Sequence, residues 1–160
     1  MGIVSEVLSA EGKDIKSDRG SGDNVTAQHF SAPGDDALPL PGDYSALSGA
    51  SGTGRQTSVG YRDKKDNAKA KPGEKRMYAR SESGDVSVEV WLKNSGEAEI
   101  TNGQGVFTLE PSGDFLINGV RITKDGDIIA ANGVSLTKHT HAQGNDSAGN
   151  TQQETNEPSV

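Results

Sequence analysis

Cysteine is absent from the 160-residue chain, aromatic side chains number seven, and no apolar run approaches the ~20 residues of a membrane span. The missing thiols exclude a disulfide framework, a thiolate metal site and a cysteine nucleophile. Apolar residues are scarce as well. They make up 31% of the chain, where compact domains carry roughly 45–50% on a count that includes glycine. That deficit points to other chains as a source of core. The opening Met1-Gly2-Ile3-Val4-Ser5-Glu6 has neither a basic region nor a long apolar one, so no export signal is expected and synthesis is expected in the cytoplasm.

Positive charge is the other shortage: 16 Lys+Arg stand against 23 Asp+Glu, a formal net charge of −7. Residues 1–75 are nearly balanced, at 10 basic to 11 acidic, whereas residues 76–160 carry 6 to 12. Affinity for nucleic acid comes largely from neutralising phosphates, so no nucleic-acid partner is expected. Adhesion to anionic lipid is disfavoured for the same reason.

What the chain does have is glycine, 21 residues of it, and short apolar segments between turns. In residues 1–75, Ile3-Val4, Val7-Leu8, Tyr44-Ser45-Ala46-Leu47 and Val59-Gly60-Tyr61 are separated by the turn-rich segments 17–24, 31–43 and 48–56. No window holds an apolar stripe at helical spacing, and strands at roughly ten-residue intervals suit a small β-barrel. Residues 61–74 read as a long charged loop of mixed sign.

From Tyr78 the pattern becomes strictly alternating. Val86, Val88, Val90 and Leu92 interleave with Ser87, Glu89, Trp91 and Lys93, and the pairs Phe107/Leu109, Phe115/Ile117, Val120/Ile122 and Val134/Leu136 continue the period. A period of two means strands with one covered face. Gly-Asp or Gly-Glu pairs punctuate them at 84, 96, 113 and 126. Residues 114–123 also repeat as residues 127–137, with one extra residue in the second copy and Asn118-Gly119-Val120 matching Asn132-Gly133-Val134. Such repeats point to an elongated β-structure in which several identical chains, wound about one axis, each supply a wall. Residues 142–160 are polar throughout apart from alanine and Val160, and composition reads them as a disordered tail.

One motif is chemically pointed. His139-Thr140-His141 stands where the strand array ends, and in an extended chain residues i and i+2 project to one side. Two imidazoles do not complete a metal site, and His29 lies in the other half without a partner pattern. Three chains about a threefold axis would bring six imidazole nitrogens together, a number that suits octahedral coordination over tetrahedral zinc. Val134 and Leu136 are even and the histidines odd, so a bend near Lys138 is expected.

Other chemistry is weak. Gly52-Thr53-Gly54-Arg55 lacks the Gly-Lys-Ser/Thr of a phosphate loop. Asp85, Asp114 and Asp127 stand at turns, where an aspartate caps backbone amides more often than it binds calcium. No nucleophile–base arrangement is recognisable, and no catalytic residue or enzymatic activity is expected. A trimeric β-solenoid adhesin or carbohydrate-binding tail protein is the main alternative, with Trp91 the one candidate platform. A metal-dependent hydrolase would need an open coordination position.

Taken in order, Ser31-Ala32-Pro33-Gly34-Asp35-Asp36, Pro39-Leu40-Pro41-Gly42-Asp43, Gly60-Tyr61-Arg62-Asp63, Lys71-Pro72-Gly73-Glu74, Tyr78-Ala79-Arg80, the Gly-Asp-punctuated strands and Leu136-Thr137-Lys138-His139-Thr140-His141 resemble the central membrane-piercing baseplate spike of contractile-tailed bacteriophages, the Mu-like spike family. The resemblance covers nearly the whole chain. It implies an all-β protein: an oligonucleotide/oligosaccharide-binding (OB) type barrel over residues 1–75, an intertwined trimeric β-helix shaft over 76–136, and an apex over 137–160. It further implies a homotrimer seated on the tail hub through its N-terminal domain, with one iron ion per trimer held by His139 and His141 of three chains. In such spikes the segment after the histidines folds into the apex. The expected place is the virion, at the tip of the tail baseplate, and the expected act is perforation of the host outer membrane during a transient contact.

Overall fold

The computed structural model describes residues 2–49, 54–65 and 69–158; Gly52 and Thr53 of the rejected phosphate loop, residues 66–68 of the charged loop, and Val160 lie outside the described residues. The protein is all-β. Twelve strands and no helix are found among the described residues. The chain forms two compact units, one of Met1–Ala68 with Glu82–Asp85 and one of Lys69–Ser81 with Val86–Val160.

The first unit is a closed five-stranded barrel of β1 (Gly2–Glu11), β2 (Asp14–Asp18), β3 (Asn24–His29), β4 (Tyr44–Gly49) and β5 (Gln56–Arg62), in the order β1-β2-β3-β5-β4. Closure depends on the long β1, which pairs antiparallel with both β2 and β4. Its register slips between Val7 and Ser9, a bulge that bends one strand around two neighbours. The parallel pair of β3 with β5 completes the ring.

Alternation explains what points inward: Ile15 and Ser17 on β2 and Ser45 and Leu47 on β4 are buried between neighbours that are exposed or half-buried. The barrel core is small, with Val7, Ile15, Ala27 and Leu47 as its buried apolar residues and serines filling the remainder. Three of those serines find partners across strands: Ser5 Oγ donates to Ser45 O at 3.2 Å, and the Ser45 and Ser58 hydroxyls bond at 2.8 Å, whereas the buried Ser17 hydroxyl has no partner among the described residues.

The 39–43 loop folds over the β1 bulge. Val7 donates to Asp43 O at 2.8 Å and Gly42 donates to Val7 O at 2.7 Å. The buried Asp43 carboxylate accepts the amides of Leu40 at 2.8 Å and Lys64 at 3.3 Å. The segment expected to be one charged loop from residue 61 therefore starts later, because Tyr61 and Arg62 complete β5.

The second unit is a seven-stranded antiparallel meander in sequence order: β6 (Lys75–Arg80), β7 (Val86–Leu92), β8 (Ala98–Thr101), β9 (Val106–Leu109), β10 (Phe115–Ile117), β11 (Val120–Ile122) and β12 (Ile128–Ile129). The strands shorten from seven residues in β7 to two in β12. The internal repeat is visible in its turns. Ile117 pairs with Val120 across the two-residue turn Asn118-Gly119, whose residues have φ of 48° and 89°. In the second copy Ala130 N donates to Val134 O, so three residues span the turn, and the extra residue is absorbed there.

Candidate metal centre and sheet faces

Cross-strand register sorts the meander into two faces. One row runs Met77, Val90, Ile100, Phe107, Ile117, Val120, each the direct neighbour of the next across six strands. A second runs Leu92, Ala98, Leu109, Phe115, Ile122, Ile128. Together they make one continuous apolar face. Among the described residues nothing covers it fully: Met77, Leu92, Ile100, Phe115, Ile117 and Ile128 remain 38–50% exposed. Among the described residues of this unit none is buried. A sheet needs an apolar face packed against something to hold its strands in water, and contiguous exposed patches of this kind mark interfaces.

The opposite face is polar and neutralises itself. Lys93 Nζ contacts Glu97 at 2.5 Å and Glu99 at 3.0 Å, and Arg121 Nη1 lies 2.7 Å from both Glu110 and Asp114. The Arg76 side chain, only 3% exposed, pairs with Glu89 and lies 4.5 Å from the Tyr78 ring centroid and 5.9 Å from that of Trp91. Trp91 donates from Nε1 to Glu74 at 3.0 Å and has Lys93 Nζ 5.5 Å from its ring centroid. This ring is already enclosed by charged neighbours of its own sheet, unlike an open platform for sugar stacking.

The turn aspartates act as caps. Asp114 Oδ1 accepts the Lys124 amide at 2.9 Å, and Asp127 Oδ1 accepts the Thr137 amide at 3.2 Å, the same ten-residue reach in each copy of the repeat. Asp85 accepts the Ser83 hydroxyl at 2.9 Å. The amide from Lys124 is the main reason the Asp114 carboxyl is held below the usual carboxylate range, with Arg121 adding to it. For Asp127 the Ser135 hydroxyl leads, and the Thr137 amide follows.

Asp127 also begins a chain of contacts to the histidines. Ser135 Oγ donates to Asp127 at 2.6 Å and accepts the Lys138 amide at 3.0 Å. The Ser135 carbonyl accepts both the His139 amide at 3.2 Å and His139 Nδ1 at 2.8 Å, with Leu136 O a further 3.1 Å acceptor for the ring. The bend expected near Lys138 is thus a turn over residues 136–138. A carbonyl can only accept, so Nδ1 is the donor here and Nε2 is the ring nitrogen left for a ligand. Metal-binding imidazoles are commonly oriented in this way.

The His139 and His141 rings stand edge to face with centroids 5.1 Å apart. That spacing fits two imidazoles at adjacent positions of one ion, given a metal–nitrogen bond of about 2.1 Å. Among the described residues no cluster of three or more His, Cys, Asp or Glu side chains comes together. His29 stands on β3 of the barrel, with its ring centroid 4.5 Å from that of Tyr61.

Sequence reasoning missed three residues near the pair. Ser135 and Leu136 act through carbonyls, which residue type does not reveal. Thr155 accepts the His141 amide on Oγ1 at 2.8 Å and donates its own amide to His141 O at 3.1 Å. The segment read as disordered from composition therefore returns to the motif, and Asp146 closes its turn by accepting the amides of Ala148 and Asn150 at 2.9 and 2.8 Å. No family model matches the sequence, and no curated protein is significantly similar to it.

Proposed function

We propose that this protein is the trimeric membrane-piercing spike at the tip of a contractile phage tail baseplate, of the Mu-like spike family. The observation that carries the reading is the meander of shortening strands with one complete apolar face and no buried residue among those described. Three such sheets, turned inward about a common axis, would bury that face and leave the ion-paired faces in water. The shaft would then be an intertwined trimeric β-helix, stiff because interchain contacts satisfy what one chain leaves open. The strand order of the barrel, with β1 between β2 and β4 and β5 parallel to β3, supports an OB-type domain as the seat on the tail hub.

His139 and His141 of three chains would hold one iron ion, six imidazoles suiting an octahedral site. When bound, that ion supplies a crosslink between chain ends and no reaction. Asp127 and Ser135 orient His139, and the turn over 136–138 redirects the chain away from the strand faces. Function on this reading is mechanical. Sheath contraction would drive a narrow, rigid point through the host outer membrane, and the self-neutralised outer face keeps it hydrated.

Native mass spectrometry with metal identification on the same sample tests the proposal. The expected mass is three times 16.7 kDa plus one iron. A metal-free monomer, or a dimer carrying zinc, overturns it.

A further inference from the structure

Four turns of the meander share one construction. The residue before the turn donates its amide to the carbonyl four residues on, and a glycine three residues on donates back: Lys93 with Gly96 and Glu97, Glu110 with Gly113 and Asp114, Thr123 with Gly126 and Asp127, Ala130 with Gly133 and Val134. The four glycines have φ between 86° and 93°, the left-handed conformation that closes a three-residue hairpin loop. The same construction occurs once more, beyond the histidines. Asp146 donates to Asn150 O at 2.9 Å, Gly149 donates to Asp146 O at 2.9 Å, and Gly149 has φ of 84°.

A hairpin turn sets the register of whatever flanks it. With residue 146 opposite 150, stepping outward on each side brings 141 opposite 155. Those are the residues that the structure joins, by Thr155 N to His141 O and His141 N to Thr155 Oγ1. Thr140 Oγ1 also lies 3.5 Å from Glu154 Oε2. Between these two ends the stems are Ala142-Gln143-Gly144-Asn145 and Thr151-Gln152-Gln153-Glu154, with no large apolar side chain to bury.

We infer that residues 141–155 are a further hairpin of the shaft repeat, closed as a clasp on the histidine motif, in which Thr155 is a positioning residue for His141. The inference rests on the reading of His139 and His141 as metal ligands. His139 is oriented through its own ring by Ser135 and Leu136. Among the described residues the His141 ring has no hydrogen-bond partner, so its backbone sets its place, and Thr155 holds that backbone from both sides. Linkage makes the relation reciprocal. A ligand that fixes His141 closes the hairpin, and the closed hairpin presents His141 to the ligand.

Hydrogen exchange of the full-length protein, as purified and after chelation, tests this together with the rate at which a chelator strips the metal. The amides of His141, Asp146, Gly149 and Thr155 are expected to exchange more slowly than an unstructured reference. Thr155→Val removes one hydrogen bond and is expected to speed exchange of these amides by about fivefold, with faster metal loss. Thr155→Ser restores both, and Asp146→Ala opens the turn end. Unchanged protection in β7 reports that the fold is intact. Unstructured exchange rates in the unaltered protein, or no response to Thr155→Val, overturn the clasp. If metal is bound and chelation proceeds equally fast in both proteins, Thr155 does not position His141. If no metal is bound and Thr155→Val still speeds exchange, the clasp stands and the metal reading falls.

Discussion

Phe107 and Phe115 meet across adjacent strands of the meander with ring centroids 5.7 Å apart, and Phe115 nevertheless keeps 38% of its surface exposed. An aromatic pair in the middle of an apolar face is a feature of an interior. Here it lies on a sheet that no described residue covers, and on the proposed trimeric reading the pair would belong to a core completed by other chains.

Ile117→Asp puts a charge into the centre of that face. Burying an aliphatic side chain is worth about 1.5–3 kcal/mol, and an unpaired carboxylate adds desolvation, repeated in each chain. The trimer is expected to dissociate in analytical ultracentrifugation, whereas Thr108→Lys on the opposite face, beside Glu99, leaves it intact. An undiminished trimer in Ile117→Asp would remove this face from the interface.

On the proposed reading, replacing His139 and His141 by alanine is expected to leave the protein trimeric and abolish the bound iron, since the apolar face is untouched. Elemental analysis of the purified double variant decides it. Stoichiometric iron would locate the site elsewhere.

Acid should weaken the hairpins at Asp114 and Asp127. Both carboxyls are held below their usual range in the folded state by backbone amides and by Arg121 or Ser135. A lowered folded pKa means the unfolded chain binds the proton more readily. Their contribution is full above the ordinary carboxylate range, near ~4, and is lost as pH falls through the lowered folded values. Urea midpoints should drop over that window, and the Asp114→Asn/Asp127→Asn double variant should flatten the decline. Equal slopes in the two proteins would assign acid sensitivity to other groups.

Arg76→Ala leaves Glu89 without its partner and empties the space beside Tyr78 and Trp91. The loss is expected to be about 1–3 kcal/mol, below a fully buried pair because Glu89 retains 17% exposure. Arg76→Lys should recover only part of it, lacking the planar fork. Trp91→Ala should likewise act on stability and leave glycan-array signals at background; glycan binding that Trp91→Ala abolishes would favour the adhesin reading.

The alternation from Val86 to Ile129 is legible because pleating is a local property; Val134 and Leu136, which continue the period, lie outside the strands, beside an isolated bridge at Ser135 and in the turn over 136–138. Successive side chains must point to opposite faces, so sequence alone determined that these are strands, which residues share a face, and that four of the turns fall at Gly-Asp or Gly-Glu pairs. It also determined that the two histidines of an H-x-H motif leave the strand array together, after a bend near Lys138. Only the tertiary structure decided which edges meet. Closure of β1 onto β4, the parallel pairing of β3 with β5, and burial of Asp43 under the β1 bulge join residues far apart in the chain. The same holds for Arg76 with Glu89 and His141 with Thr155, whose pairing depends on a register set by turns between them. Composition misjudged the C-terminal segment for a related reason. Its order comes from a turn and two hydrogen bonds at its base, and apolar content, the quantity composition measures, plays no part in either.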